Sequence, residues 1–350
     1  MSRFFSEKFA ALTPYTPGEQ PQDKQYIKLN TNESPFPPSE KARQAAAEAA
    51  ASLQLYPDPT CRRLREQLAA VHGLSAEETI VTNGSDEVLS FAFMAFCDHG
   101  AAFPDITYGF YKVFAELYNV PYVEIPLQED FTIKLSDYRA LGKAIFIANP
   151  NAPTGIPLTV PQIEDILSTN PDTVVVVDEA YVDFGGVSCA PLVRKYDNLL
   201  VTGTFSKSRS MAGARLGFGF GCPALIADLE TLRYSTNPYN INRMTMAAGM
   251  GQLADEAETR RNCLTVMANR DYTTAKLQAM GFTVLPSAAN FVFATHPAIR
   301  GKDLYLRLKE RGILVRHFDT VRLREYNRIT IGSRAQMDAL LDAVSVILEG

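Results

Sequence analysis

Lys207 stands in "TFSKSRSMAGAR" (Thr204–Arg215), with hydroxyls at Ser206 and Thr204 just before it and Arg215 eight places after it. The run ahead, "NLLVTGTF", reads as a strand, and the run behind is too rich in Gly and Ala for a solvated helix face. A lysine so placed suits Schiff-base chemistry, provided its surroundings tune the amine. Asp178 closes "TVVVVDEA", where burying a carboxylate is costly unless a cation meets it. Tyr181 follows three places on. In "VTNGSDEVL" a strand turns through Gly84 and Ser85 into a helix, with Ser85 the expected N-cap and Asp86 next. Such a helix start favours an anion. Tyr108 and Tyr111 in "ITYGFYKVF" offer rings on which a planar group can stack. Asn151 in "NPNAPTG" is held between two prolines.

Each of these is, alone, compatible with an ordinary cap, turn, core or surface residue. Together, all after strand ends, they describe a site for an aldehyde cofactor. Lys207 takes the carbonyl, while Gly84, Ser85, Thr204, Ser206 and Arg215 form a phosphate cup. Tyr108 stacks, Asn151 or Tyr181 meets a ring hydroxyl, and Asp178 faces a pyridine nitrogen. A lysine Schiff base paired with an Asp at the pyridinium nitrogen is how pyridoxal phosphate works as an electron sink.

The positioning elements follow from hydrophobic patterning. "KAIFIANP", "TVVVVDEA", "NLLVTGTF" and "RLGFGFG" are short β-rich runs, and "CRRLREQLAAVHG", "SDEVLSFAFMAFC" and "VPQIEDILS" read as helices. Continuous apolar strands separated by helices predict an α/β fold with a mostly parallel sheet buried on both faces. Ligands gather at the carboxyl ends of such strands. From Ile241 to Gly281 the chain is strongly helical. Then come "FTVLP", "NFVFAT", a helix, "ILVRHF", "NRITIG" and a last helix, a compact α+β unit. The expected organisation is an arm over 1–30, a large cofactor-binding domain over 31–255 and a smaller C-terminal domain over 256–350.

With 350 residues, 46% apolar and 21% charged, the composition is that of an ordinary globular chain. A net charge of −5 argues against a nucleic-acid surface. No apolar run reaches the ~20 residues that span a bilayer, and "MSRFFSEKFAAL" lacks a signal-peptide pattern. Cys61, Cys97, Cys189, Cys222 and Cys263 are dispersed and read as free thiols in a reducing compartment, the cytoplasm. Neither they nor the four His residues have metal-ligand spacing, so no metal is expected. A nicotinamide-binding fold is disfavoured because no GxGxxG follows an early strand.

The sequence resembles the fold-type I pyridoxal-phosphate aminotransferases of class I/II along essentially its whole length. The resemblance lies in "YPDPTCRRLREQLA", "VTNGSDEVL", "ITYGFYKVFAEL", "VVVDEAYVDF" and "GTFSKSRSMAGARLGFG". "IKLNTNESPFPPS", "PYNIN" and "NRITIGS" are most similar to the histidinol-phosphate branch. It implies that Lys207 is the Schiff-base lysine, Asp178 pairs with the ring nitrogen, Tyr181 contacts the ring hydroxyl and Tyr108 stacks. Gly84, Ser85, Asp86, Thr204, Ser206 and Arg215 would surround the phosphate of pyridoxal 5'-phosphate. Tyr56 of "LYPDP" would reach the phosphate of a neighbouring subunit, implying a homodimer. Arg328, Arg316 and Tyr239 would contact substrate, with Tyr15 and Asn32 at the site entrance. The family often carries Asn directly before Pro in its "NNPTG" segment; here that residue is Ala152, and Asn151 is expected to serve instead.

The reaction implied moves an amino group from histidinol phosphate to 2-oxoglutarate in histidine biosynthesis, in ping-pong fashion. An aromatic amino-acid aminotransferase and a threonine-phosphate decarboxylase share Lys207, Asp178 and Arg215, so these motifs do not separate the three. A non-catalytic cofactor-binding module would need a fused DNA-binding domain, for which the chain has neither length nor basic patch.

Overall fold

The apolar runs become strands, and the central sheet packs a core on each of its faces while the C-terminal strands and helices pack another. The computed structural model describes residues 2–10 and 12–349. A short strand, β1 (Ile27–Lys28), precedes a seven-stranded sheet. Its members are β2 (Thr79–Thr82), β3 (Ala101–Pro104), β4 (Tyr122–Ile125), β5 (Ala144–Ala148), β6 (Val175–Asp178), β7 (Leu199–Thr204) and β8 (Gly217–Gly221). Their order is β2-β8-β7-β6-β5-β3-β4. β8 runs antiparallel to β2 and β7, and the other pairs are parallel. The sheet is therefore mixed and mostly parallel, as the patterning predicts.

Around it lie α1 (Glu40–Ala50), α2 (Arg62–Val71), α3 (Ser85–Phe96), α4 (Phe110–Tyr118), α5 (Val160–Thr169), α6 (Pro223–Thr236) and α7 (Arg243–Leu253). Ile145, Ile147, Val175, Val177 and Val201 pack on one face with Leu64 and Leu68 of α2 and Ile163 and Ile166 of α5. Phe146, Val176 and Leu200, from the alternate positions, pack on the other with α3, α4 and α6. Each such side chain removed from water contributes about 1.5–3 kcal/mol, which is why these strands are apolar on both faces until they near their carboxyl ends. Helix α3 starts at Ser85 with Gly84 as cap, one place before the expected cap. Gly84 has a φ of 78°, a conformation glycine adopts without steric cost.

The helical stretch after Ile241 breaks at Ala254–Asp255, giving α7 and then α8 (Glu256–Ala279). The remainder is β9 (Thr283–Val284), β10 (Phe291–Thr295), α9 (Gly301–Glu310), β11 (Ile313–Leu314), β12 (Arg316–His317), β13 (Tyr326–Thr330) and α10 (Arg334–Glu349). β12-β13-β10-β9 form an antiparallel sheet, and β1 pairs in parallel with β11. Only two residues of "FTVLP" find a strand partner. "ILVRHF" is two strands that serve two sheets. Among the described residues, no helix is long and apolar enough to cross a membrane, and no three His, Cys, Asp or Glu side chains are grouped to hold a metal. All five cysteines are free.

Candidate active site

Two adjoining cavities, of about 390 and 710 Å3, open at the carboxyl ends of β5, β6 and β7. Thr31, Tyr108, Ala152, Tyr181 and Lys207 border both. The smaller one holds the expected cofactor residues Ser85, Asp86, Asp178, Thr204, Ser206 and Arg215.

One end of this cavity is a cup. Thr204 Oγ1 donates to Ser206 Oγ at 2.9 Å, and the Ser206 N–H donates to Thr204 Oγ1 at 3.0 Å. Arg215 Nη1 lies 3.4 Å from Ser206 Oγ, and Nη2 lies 3.2 Å from Asp86 Oδ2. The other Asp86 oxygen accepts from the Tyr108 hydroxyl at 2.7 Å. Glycines let the walls come this close. A Cβ on Gly84 would sit 2.7 Å from Arg215 Nη2, and one on Gly217 would sit 2.2 Å from both Gly84 C and Ser85 N. A helix start, two hydroxyls and a guanidinium around a space kept open by glycines fit one phosphate group.

Asp178, at the end of β6, is buried. Its Oδ2 accepts from Tyr111 Oη and its Oδ1 from Thr202 Oγ1, both at 3.1 Å. Burial pushes its pKa up to about 6, against the pull of those two donors. A cationic N–H brought against it would favour the charged form. Lys207 Nζ donates to the Thr31 carbonyl at 3.1 Å and lies 5.9 Å from the Tyr181 ring centroid. Among the described residues no carboxylate lies within salt-bridge distance of it. The Tyr181 hydroxyl accepts from Asn32 Nδ2 at 3.0 Å, and Asn32 Oδ1 in turn accepts from Thr330 Oγ1 at 3.0 Å. A ring-sized space flanked by Tyr108, Asp178, Tyr181 and Lys207, with the cup at one end, fits pyridoxal 5'-phosphate.

Asn151 departs from expectation. Its Nδ2 donates to Ile106 O at 3.0 Å and Thr154 Oγ1 at 3.1 Å, and its Oδ1 accepts from Thr107 Oγ1 at 2.9 Å. With all its polar atoms engaged in tying loops together, it borders neither cavity; Ala152 does.

The larger cavity carries the expected substrate residues Tyr15, Asn32, Arg316 and Arg328. Arg316 and Arg328 are cross-strand partners of β12 and β13. Arg328 Nη2 donates to Asn30 O at 3.1 Å, while its buried Nε has no partner. Arg316 only approaches the carbonyls of Thr16 and Pro17, at 3.5 Å. Tyr56 and Tyr239 lie elsewhere: they stack on each other at 4.6 Å, 77% and 41% exposed, and border neither cavity. Sequence reasoning assigned no role to Thr202 or Arg322. Thr202 shares a face of β7 with Thr204, a period-two signal that could have found it.

Residues 24–344 match the family model for aminotransferase class I and II. Over 353 residues the chain is 52% identical to histidinol-phosphate aminotransferase 1 of Bordetella parapertussis, covering 99% of each. It is 46% identical over 353 residues to histidinol-phosphate aminotransferase of Brachyspira hyodysenteriae, covering 100% of each. The crystal structure of histidinol-phosphate aminotransferase from Sinorhizobium meliloti in complex with pyridoxal-5'-phosphate has the same fold. Its TM-score is 0.89 at 22% identity, covering 100% of this chain and 98% of that one. With cavities, lysine and family match in agreement, the chain belongs to the class I and II aminotransferases.

Proposed function

We propose that the chain moves the amino group of histidinol phosphate to 2-oxoglutarate, giving imidazole acetol phosphate and glutamate in histidine biosynthesis. The observation that carries the substrate assignment is the Arg316–Arg328 pair, facing the cavity that Lys207 also borders. Two guanidiniums directly opposite each other repel unless an anion lies between them, and a phosphate or carboxylate accepts such donors in pairs. The relatives named above support the same substrate.

Pyridoxal 5'-phosphate, when bound, supplies an electron sink for the charge left on the substrate Cα. Ser85, Thr204, Ser206 and Arg215 hold its phosphate, Tyr108 stacks against its ring, and Asp178 faces the ring nitrogen. Tyr181, oriented by Asn32, meets the ring hydroxyl in place of Asn151. Lys207 would supply the amine for the aldehyde, and its Nζ would then carry the proton from the substrate Cα to the cofactor C4′. Arg316 and Arg328 orient the donor's phosphate and the acceptor's carboxylate, and Tyr15 closes the far side of the cavity.

The proposal includes a cytoplasmic homodimer built from an arm (1–30), a large domain (31–255) and a small domain (256–350). The free cysteines support a reducing compartment. The exposed Tyr56 supports a role on a neighbouring copy. One experiment tests the reading: rates with histidinol phosphate, phenylalanine, tyrosine and threonine phosphate, with CO2 release recorded. Preference for histidinol phosphate and dependence on 2-oxoglutarate are expected. Preference for phenylalanine, or CO2 release from threonine phosphate, would replace the substrate and keep the site.

A further inference from the structure

Tyr111 is fully buried and touches both side chains that would flank the cofactor ring. Its hydroxyl donates to Asp178 Oδ2 at 3.1 Å. Its ring meets Tyr108 edge-on, at 5.7 Å and 86°. From behind it is braced by Phe146 at 5.7 Å and Phe103 at 5.9 Å. Its backbone N–H donates to Tyr108 O at 3.2 Å, locking the two residues into one turn at the start of α4. Packing alone would be served by phenylalanine, which is what fills the surrounding core at Phe93, Phe103 and Phe146. A phenol in that place needs a partner for its O–H, and Asp178 is that partner.

We propose that Tyr111 is a positioning residue for the reaction. With Thr202 it fixes the plane of the Asp178 carboxylate, and through its ring edge it sets the tilt of Tyr108. One side chain thereby aligns the charge partner and the stacking partner of the same ring. The inference rests on the pyridoxal-phosphate reading above.

Side-chain donors hold the two oxygens of Asp178 separately, Tyr111 at Oδ2 and Thr202 at Oδ1, and the Ala180 N–H adds to them, so losing Tyr111 leaves Oδ2 without its side-chain donor. All of these donors favour the ionised form. The other titratable or charged groups facing this pocket are Glu33 after β1, which Lys28 and Thr31 engage, Asp86 on α3, Tyr108 before α4, Tyr181 after β6, and Lys207 and Arg215 after β7. None of them replaces the Tyr111 bond, since Asp86 is already engaged by Tyr108 and Arg215.

The test is Tyr111→Phe, which keeps the ring and removes only the donor. In the cofactor-loaded protein, the pH titration of the visible absorption band and the acid limb of kcat should both move up by about one unit. At neutral pH kcat should fall roughly ten-fold with KM nearly unchanged. Tyr111→Leu, which also removes the ring edge, should in addition weaken pyridoxal-phosphate binding to the cofactor-free protein. Melting temperatures read any purely structural effect. If Tyr111→Phe lowers the melting temperature yet leaves titration, pH profile and kcat as in the native protein, the inference is overturned and the cofactor reading stands. If the native protein itself forms no visible band with pyridoxal phosphate, both fall.

Discussion

Arg316 and Arg328 occupy directly opposed positions of the β12–β13 ladder, and both border the cavity that leads to Lys207. Like charges in this arrangement destabilise the ladder, and among the described residues neither has a carboxylate within salt-bridge distance. Anion binding reverses that repulsion. Arg328→Ala should lower kcat/KM for histidinol phosphate about 10- to 100-fold, as expected for losing a hydrogen bond to a charged group. The loss should be larger with histidinol phosphate than with phenylalanine. Equal losses with both would show that the pair does not read the phosphate. Inorganic phosphate should raise the native melting temperature and do less for a variant carrying both Arg316→Ala and Arg328→Ala.

Lys207 and Asp178 should separate cleanly by mutation. Lys207→Ala should abolish turnover and the visible cofactor band, because among the described residues no other amine borders both cavities. Asp178→Asn should still bind the cofactor through the Arg215 cup but lose most of the rate, since a neutral amide does not hold the ring nitrogen cationic. An unchanged rate in Asp178→Asn, or turnover at the native rate in Lys207→Ala, would remove the corresponding role.

Much of this site was legible because its residues follow apolar strands directly. Asp178 ends β6, and Lys207 comes three residues after β7 ends. A parallel sheet delivers both to one edge, whatever the helices do. What was not legible depends on partners far away in sequence. The direction of β8 is set by its two neighbours in the sheet, not by "GFGFG" itself. "ILVRHF" splits because Ile313 finds Ile27 while Arg316 finds Arg328. Asn151 turns from the cavity because Thr107, Ile106 and Thr154 satisfy its amide, a loop arrangement that spacing does not encode. Tyr111 was visible as an aromatic, but its bond to Asp178 spans 67 residues.

Gly217→Ala should cripple cofactor binding more than folding. The new Cβ would lie 2.2 Å from Gly84 C and Ser85 N. These are backbone atoms that cannot rotate away, so α3's first turn must shift out of the phosphate cup. The affinity for pyridoxal phosphate, measured by titrating cofactor-free protein, should fall at least ten-fold, equivalent to about 1.4 kcal/mol. Gly213→Ala is the control, because nothing lies within 4 Å of a Cβ there. If the two variants bind the cofactor equally well, the close approach at Gly217 is not what shapes the cup.

Glu179 should make the cofactor-free protein less stable as pH rises. Its carboxyl is buried against the Ser188–Cys189 loop, and burial pushes its pKa up to about 8 from an ordinary 4.5, although Ser188 Oγ and the Cys189 N–H donate to it. Between those two values the folded chain holds a proton at Glu179 that the unfolded chain has released. The unfolded state therefore binds fewer protons, and the slope of unfolding free energy against pH is negative there. Glu179→Gln keeps the shape and removes the titration. The difference in stability between native and variant should thus tilt against the native protein from about pH 4.5 upward and level off above about pH 8. Urea denaturation at pH 5, 7 and 8.5 measures it, with the variant losing about 1 kcal/mol or more less than the native protein across that range. A difference that stays flat with pH would mean that Glu179 titrates normally and that its burial is offset by the Ser188–Cys189 loop.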